Sequence, residues 1–174
     1  RDGRLPDLVV DPVLVATSGH RLGVVDAVER LLPYAKVATP NCAEAGAIVG
    51  RRIDTPEEMA QAARELAASG ARAVVVTGGD LPDPDEAIDV LWTGESAVFL
   101  RRPRVPTRHT HGTGCSFSAA VAVRLALGDP VPDAVRFAKD YVARGLAGAR
   151  EWTLGGGRGP LDHFGWSENR EALE

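Results

Sequence analysis

A chain of 174 residues with 44% hydrophobic side chains is long enough to bury a core and short enough to form one domain. Its 24 acidic residues outnumber 20 scattered basic ones, for a net charge of −4 at pH 7, which excludes the basic stripe of a nucleic-acid binder. No apolar run approaches the roughly 20 residues that span a bilayer, and Arg1-Asp2-Gly3-Arg4 leads into no signal-peptide core, so no membrane partner is expected and the cytoplasm is the expected compartment.

Residues 8–13 (Leu-Val-Val-Asp-Pro-Val) read as a buried strand. Apolar residues at helical spacing (Val24, Val25, Val28, Leu31, Leu32) predict a helix over 23–32, closed by Pro33. A short strand at 36–39 turns through Pro40-Asn41 into a helix over 43–49, ended by Gly50. Thr55, Pro56, Glu57 and Glu58 supply a cap, a first-turn proline and first-turn acids for an amphipathic helix to residue 68, stopped by Ser69-Gly70. Residues 72–77 form a buried strand broken by Gly78-Gly79, and segments 87–92 and 97–100 have the spacing of an antiparallel hairpin. Helices follow over 115–127 and 132–149, the second with Val135, Ala138, Tyr141, Val142, Gly145 and Leu146 on one stripe. Gly155-Gly156-Gly157 and residues 167–174 read as a mobile tail. Strands alternating with helices predict an α/β domain with a mainly parallel sheet and an antiparallel edge.

The most informative stretch is Thr110-His111-Gly112-Thr113-Gly114-Cys115, which opens a helix. Two glycines and a small nucleophile there let backbone N–H groups converge on an anion while a thiol faces the reacting centre. At such a helix terminus the thiol pKa of Cys115 is expected to fall. Three turns lie at carboxyl ends of predicted parallel strands, where open α/β sheets bind ligands: Asp11-Pro12, Asn41 to Glu44, and Gly78-Gly79. Asp11 and Glu44 are hard oxygen ligands suited to nucleotide-bound Mg²⁺, and Asn41 can donate to a phosphate or hold a metal-bound water.

Each of these residues also has a plainer reading. Asp11 fits a strand-ending turn, Asn41 and Glu44 fit a helix cap and first-turn acid, Gly78-Gly79 fits an ordinary turn, and Cys115 fits a buried helix-start thiol. Cys42 reads as a small helix-start residue without chemistry, and His111 as a packing or capping residue. His20, His109 and His163 show no ligand spacing, and Trp92, Trp152 and Trp166 read as packing residues.

Taken in order, Val10-Asp11-Pro12-Val13, Thr39-Pro40-Asn41-x-x-Glu44, Gly78-Gly79, His111-Gly112-Thr113-Gly114-Cys115-Ser116 and Gly159-Pro160-Leu161-Asp162-His163 resemble the hydroxymethylpyrimidine and phosphomethylpyrimidine kinases of thiamine biosynthesis. The resemblance runs from Leu8 to about His163 and implies a ribokinase-like three-layer αβα fold. It implies ATP and Mg²⁺ as cofactors, and hydroxymethylpyrimidine and its monophosphate as small-molecule substrates. It also implies an anion hole at Gly112, Thr113, Gly114 and Cys115, with Cys115 in the place of the catalytic base. Asn41, Thr77, Gly78 and Gly79 match nucleotide-side positions, and Asp11 and Glu44 the acids near the metal. Pyridoxal and sugar kinases of the wider superfamily typically carry aspartate in place of Cys115, so the cysteine favours the pyrimidine kinases. Family members commonly dimerise, so a homodimer is the expected assembly.

Two positions depart from the pattern. Thr17 and Thr77 stand where the family often has lysine, which removes two positive charges expected beside the polyphosphate. The family's N-terminal strands and glycine-rich substrate turn are expected to precede the matched region, which leaves this chain as the ATP-side portion and the surface near residues 8–15 uncovered. The rival readings are a pyridoxal or other vitamin kinase and a non-catalytic nucleotide- or pyrimidine-binding module.

Overall fold

The computed structural model describes residues 7–14 and 23–165. Thr17, His20, Trp166 and the tail expected at 167–174 lie outside the described residues.

Five strands form one sheet in the order β1 (Val9–Val10), β2 (Val37–Ala38), β3 (Val74–Thr77), β4 (Glu86–Trp92) and β5 (Ala97–Pro103). The first three run parallel, and β4 and β5 add antiparallel to β3 as the hairpin spacing predicts. Helices α1 (Val25–Leu31), α2 (Cys42–Val49) and α3 (Pro56–Ala68) cover one face, and α4 (Thr113–Ala126) and α5 (Val131–Gly148) the other. Alternation along β3 divides the core between them. Val74 and Val76 join Met59, Ala62 and Leu66 on the first face, while Val75 joins Phe117, Val121 and Val135 on the second. This is the expected αβα arrangement.

The capping signals act as read. Thr55 and Glu58 form a reciprocal capping box ahead of Pro56, and Gly50 ends α2 in the left-handed conformation with φ +73°. Other boundaries differ. The first helix starts at Val25, and Pro33 does not stop the chain's coiling but sits inside a 3-10 turn, Leu32–Tyr34, where its missing N–H costs no hydrogen bond. The first two parallel strands, β1 and β2, are two residues long, so Asp11 and Thr39 fall in the loops beyond them. On α5 the buried stripe takes in Ala134 and Lys139, whereas Tyr141, Val142 and Leu146 are half-exposed. Near the start, Val10 and Leu14 are buried and Leu8, Val9 and Val13 half-buried, so this surface is less uncovered than expected.

Candidate functional site

Gly112 adopts φ +84° and caps α4, which opens at Thr113, two residues before the expected start. No side chain caps this end, so first-turn N–H groups, which have no partner within the helix, point out of it. Only glycine adopts the conformation at 112 readily. Gly114 has ordinary φ, and a Cβ there would meet nothing within 4 Å, so the protein itself does not require glycine at that position. Cys115 is exposed at this helix mouth.

Contacts between α4 and β1 bring the loop against Asp11, as the sequence reading requires. Ser118 and Cys115 lie within electrostatic and hydrogen-bonding reach of the Asp11 side chain. Ser118 Oγ also lies 3.0 Å from the Gly114 carbonyl and 2.8 Å from Thr39 Oγ1, which reaches back to the Val10 carbonyl at 3.4 Å. A buried hydroxyl pair therefore ties the end of β1 to the glycine loop. Burial pushes the Asp11 carboxyl above its ordinary range, while the Ser118 and Cys115 hydrogen bonds pull the other way. The Cys115 thiol is also raised, first by burial and then by the Asp11 carboxylate, so the expected fall is overturned: these influences outweigh the helix terminus.

Asn41 and Glu44 form a reciprocal capping box on α2. Glu44 N donates to Asn41 Oδ1 at 2.8 Å, and Asn41 N to Glu44 Oε2 at 2.9 Å. The capping role is thus occupied, and the Leu14 backbone N–H near the Glu44 carboxyl acts with that of Asn41 to favour its charged form. Glu44 is raised by burial foremost, with the Asp11 and Asp80 charges adding to it. Asp11 and Glu44 are within electrostatic reach of each other and of Cys115. Among the described residues no group of three or more His, Cys, Asp or Glu forms a metal cluster, so a hard cation here would complete its shell with phosphate or water oxygens. Cys42 is buried and pushed up to about 12 by burial and nearby carboxylates, consistent with no chemical role.

One strand further along, Thr77 bridges Asn41 in parallel, and Thr77 N donates to the Pro40 carbonyl at 2.9 Å. Gly78 is required by the fold, because a Cβ would sit 2.2 Å from the Ile88 carbonyl. Its N–H donates to Asp89 Oδ1 at 3.0 Å, and Asp89 Oδ2 accepts Lys139 Nζ at 2.8 Å in a buried ion pair. Gly79 has open space around it and ordinary φ. His111 is exposed, its backbone bonded to Gly159, and the histidine that packs here is His109, 1% exposed.

Four residues bearing on these turns were not read from the sequence. Ser118 lies one turn beyond Cys115 on α4, a spacing that signals a shared face. Asp89 is a carboxylate flanked by apolar residues inside β4, and Lys139 a cation on the apolar stripe of α5. Thr39 stands in the Thr39-Pro40-Asn41 motif, but the motif gave no role to its hydroxyl.

A helix N-terminus and acidic turns at the carboxyl edge of an αβα sheet define a ribokinase-like protein. Solved structures agree: a pyridoxal kinase from Staphylococcus aureus in complex with AMP-PCP superposes with TM-score 0.83 at 35% identity, over 93% of this chain and 59% of that one. Residues 2–162 match the model of the family described as phosphomethylpyrimidine kinase, and the chain belongs to that family. A hydroxymethylpyrimidine/phosphomethylpyrimidine kinase of Rhizobium meliloti is 48% identical over 161 residues, 90% of this chain and 60% of the relative. The "Thiamine biosynthetic bifunctional enzyme TH1, chloroplastic" of Arabidopsis thaliana is 46% identical over 163 residues, 90% of this chain and 31% of that protein. The chain thus spans about three fifths of the bacterial relative and of the pyridoxal kinase.

Proposed function

We propose that this chain carries the nucleotide side of a kinase that transfers the terminal phosphoryl group of ATP to hydroxymethylpyrimidine and then to its monophosphate, in thiamine biosynthesis. The observation that carries the reading is the exposed Cys115 at the uncapped mouth of α4, beside the Asp11 carboxyl. Family membership and the names of the relatives support the same chemistry.

The residues present suit a nucleoside triphosphate and a divalent cation. The space beside Gly79 and Gly114, which a Cβ would fill, admits close approach of a ligand to the backbone, and the first-turn N–H groups of Thr113, Gly114 and Cys115 suit an anion. Asp11 and Glu44 would hold Mg²⁺, with Asn41, Thr77, Gly78 and Gly79 on the nucleotide side. The bound cation would supply neutralisation of polyphosphate charge. Gly112 sets the direction of the loop, and Cys115 faces the acceptor hydroxyl. Loose phosphoryl transfer depends chiefly on positioning and charge neutralisation, and Cys115 at the helix mouth is placed to take the acceptor's proton. A reducing, ATP-containing cytoplasm and a homodimer belong to the same proposal, the first supported by two free thiols and the second to be checked by sedimentation.

A pyridoxal kinase is the second reading, favoured by the likeness in structure. The 46–48% identity of the thiamine-pathway relatives against 35% for that neighbour supports the pyrimidine. ADP release is measured with Mg-ATP and hydroxymethylpyrimidine, its phosphate or pyridoxal. Turnover should be highest with the pyrimidines and fall at least about a hundredfold in Cys115→Ala. Preference for pyridoxal would establish the second reading, and nucleotide binding without turnover on any acceptor a binding module.

A further inference from the structure

The two peptides of the Gly78-Gly79 turn are each gripped by a charged side chain, one from β4 and one from the segment after β5. On one side is Asp89, 6% exposed, which accepts the Gly78 N–H and is fixed in turn by Lys139 of α5. On the other is Arg104, just past β5. Its guanidinium donates to the Gly79 carbonyl at 2.8 Å, to those of Leu81 at 2.8 Å and Glu86 at 3.2 Å, and to that of Asp83. Its own N–H takes the Asp85 carbonyl at 2.8 Å. One residue therefore binds five carbonyls between Gly79 and Glu86.

We propose that Asp89 and Arg104 are positioning residues that fix the Gly78-Gly79 turn and the loop after it for the polyphosphate of a nucleoside triphosphate. The inference rests on the kinase reading above. A glycine pair is the most flexible dipeptide the chain can place at a strand end, and holding it before ligand arrives removes that ordering cost from binding. Only Gly78 is demanded by packing. Gly79 meets no neighbour, so its missing side chain serves approach from outside, and Arg104 and Asp89 are what keep that open peptide in place. The clamp has an electrostatic effect as well. Carbonyl oxygens turned onto a guanidinium are not free to face a polyanion, an advantage where Thr77 leaves no lysine beside the turn.

Arg104 is half-buried and its carbonyl partners belong to half-buried or exposed residues outside the core, so its replacement is compatible with folding. ATP affinity is measured by calorimetry, with KM and kcat from ADP release and amide exchange over residues 79–86, for wild type, Arg104→Met and Arg104→Lys. The expected result for Arg104→Met is ATP binding weakened roughly tenfold, raised KM with kcat nearly kept, and lost exchange protection in the loop, with Arg104→Lys recovering part of the affinity. The double replacement Asp89→Leu with Lys139→Met removes the ion pair without stranding a buried charge and should weaken ATP similarly. Faster exchange or a lower Tm with unchanged ATP affinity in both variants would overturn the proposal while leaving the kinase reading standing. A wild-type protein that binds no ATP would overturn the kinase reading and this inference with it.

Discussion

Cys115 stands under opposing influences. The mouth of α4 favours a thiolate, as its sequence position implies, but burial and the Asp11 carboxylate disfavour it, and the structure gives the second pair the greater weight. Without Mg²⁺, Cys115 should therefore react with iodoacetamide at pH 7.5 more slowly than free cysteine. Asp11→Asn removes the negative neighbour, lowers the thiol pKa and should speed alkylation about threefold or more, while the buried Cys42 stays unmodified; peptide mass spectrometry separates the two sites. The same substitution should raise Tm at pH 7. The sign follows from Asp11's own raised pKa: the stability attached to its neutral form is present below the ordinary carboxylate pKa and lost as pH rises through the folded value, and Asn cannot ionise. A slower alkylation rate in Asp11→Asn would contradict the assigned order of influences. The position of Cys115 at a helix mouth was legible in the sequence. That Asp11 would share its crevice was legible too, from the strand-end turns; that the carboxyl would raise the thiol pKa was not, because the distance between them is set only once the sheet places β1 against α4.

At the scale of elements, legibility followed how local the cause is. The capping box at Thr55 and Glu58, the left-handed Gly50 and the glycine loop depend on neighbours within a turn, and all were readable. Strand lengths depend on pairing partners, which is why residues 8–13 reduce to a two-residue strand. The Arg104 clamp had no pattern at all, since one guanidinium collects carbonyls from a loop about twenty residues earlier, and only the β4–β5 hairpin brings them together. Gly78 and Gly79 look equivalent in sequence, yet the structure separates them. Gly78→Ala forces a methyl group onto the Ile88 carbonyl and the Met59 side chain and should cost about 2–4 kcal/mol in chemical denaturation. Gly79→Ala meets nothing and should stay within about 0.5–1 kcal/mol of wild type, with its effect on ATP affinity instead. Equal destabilisation by the two would refute this division of roles.

Across the whole molecule, the sheet is a shared wall between two cores. Leu66 is buried at 1% exposure on the α3 face and Leu125 at 3% on the α4 face, and the valines of β3 point alternately into both. At the outer edge, β5 shows little apolar burial and carries Arg101 and Arg102, paired to Glu86 and Asp140, charges that discourage edge pairing with another chain. Because β3 cannot lose one core and keep its place in the other, the described elements should unfold as one domain in a single transition. Leu66→Ala and Leu125→Ala should each cost about 2–5 kcal/mol, and each should move that same transition. Their effects should nearly add in the double variant, since the side chains lie on opposite faces and share no contact cluster. Urea titration followed in parallel by far-UV circular dichroism and tryptophan fluorescence is the check. Coincident curves shifted by either substitution support a single cooperative unit. If Leu125→Ala split off an early phase that left the other probe unmoved, the α4–α5 layer would be a separate unit, and the glycine loop would owe its order to that layer alone.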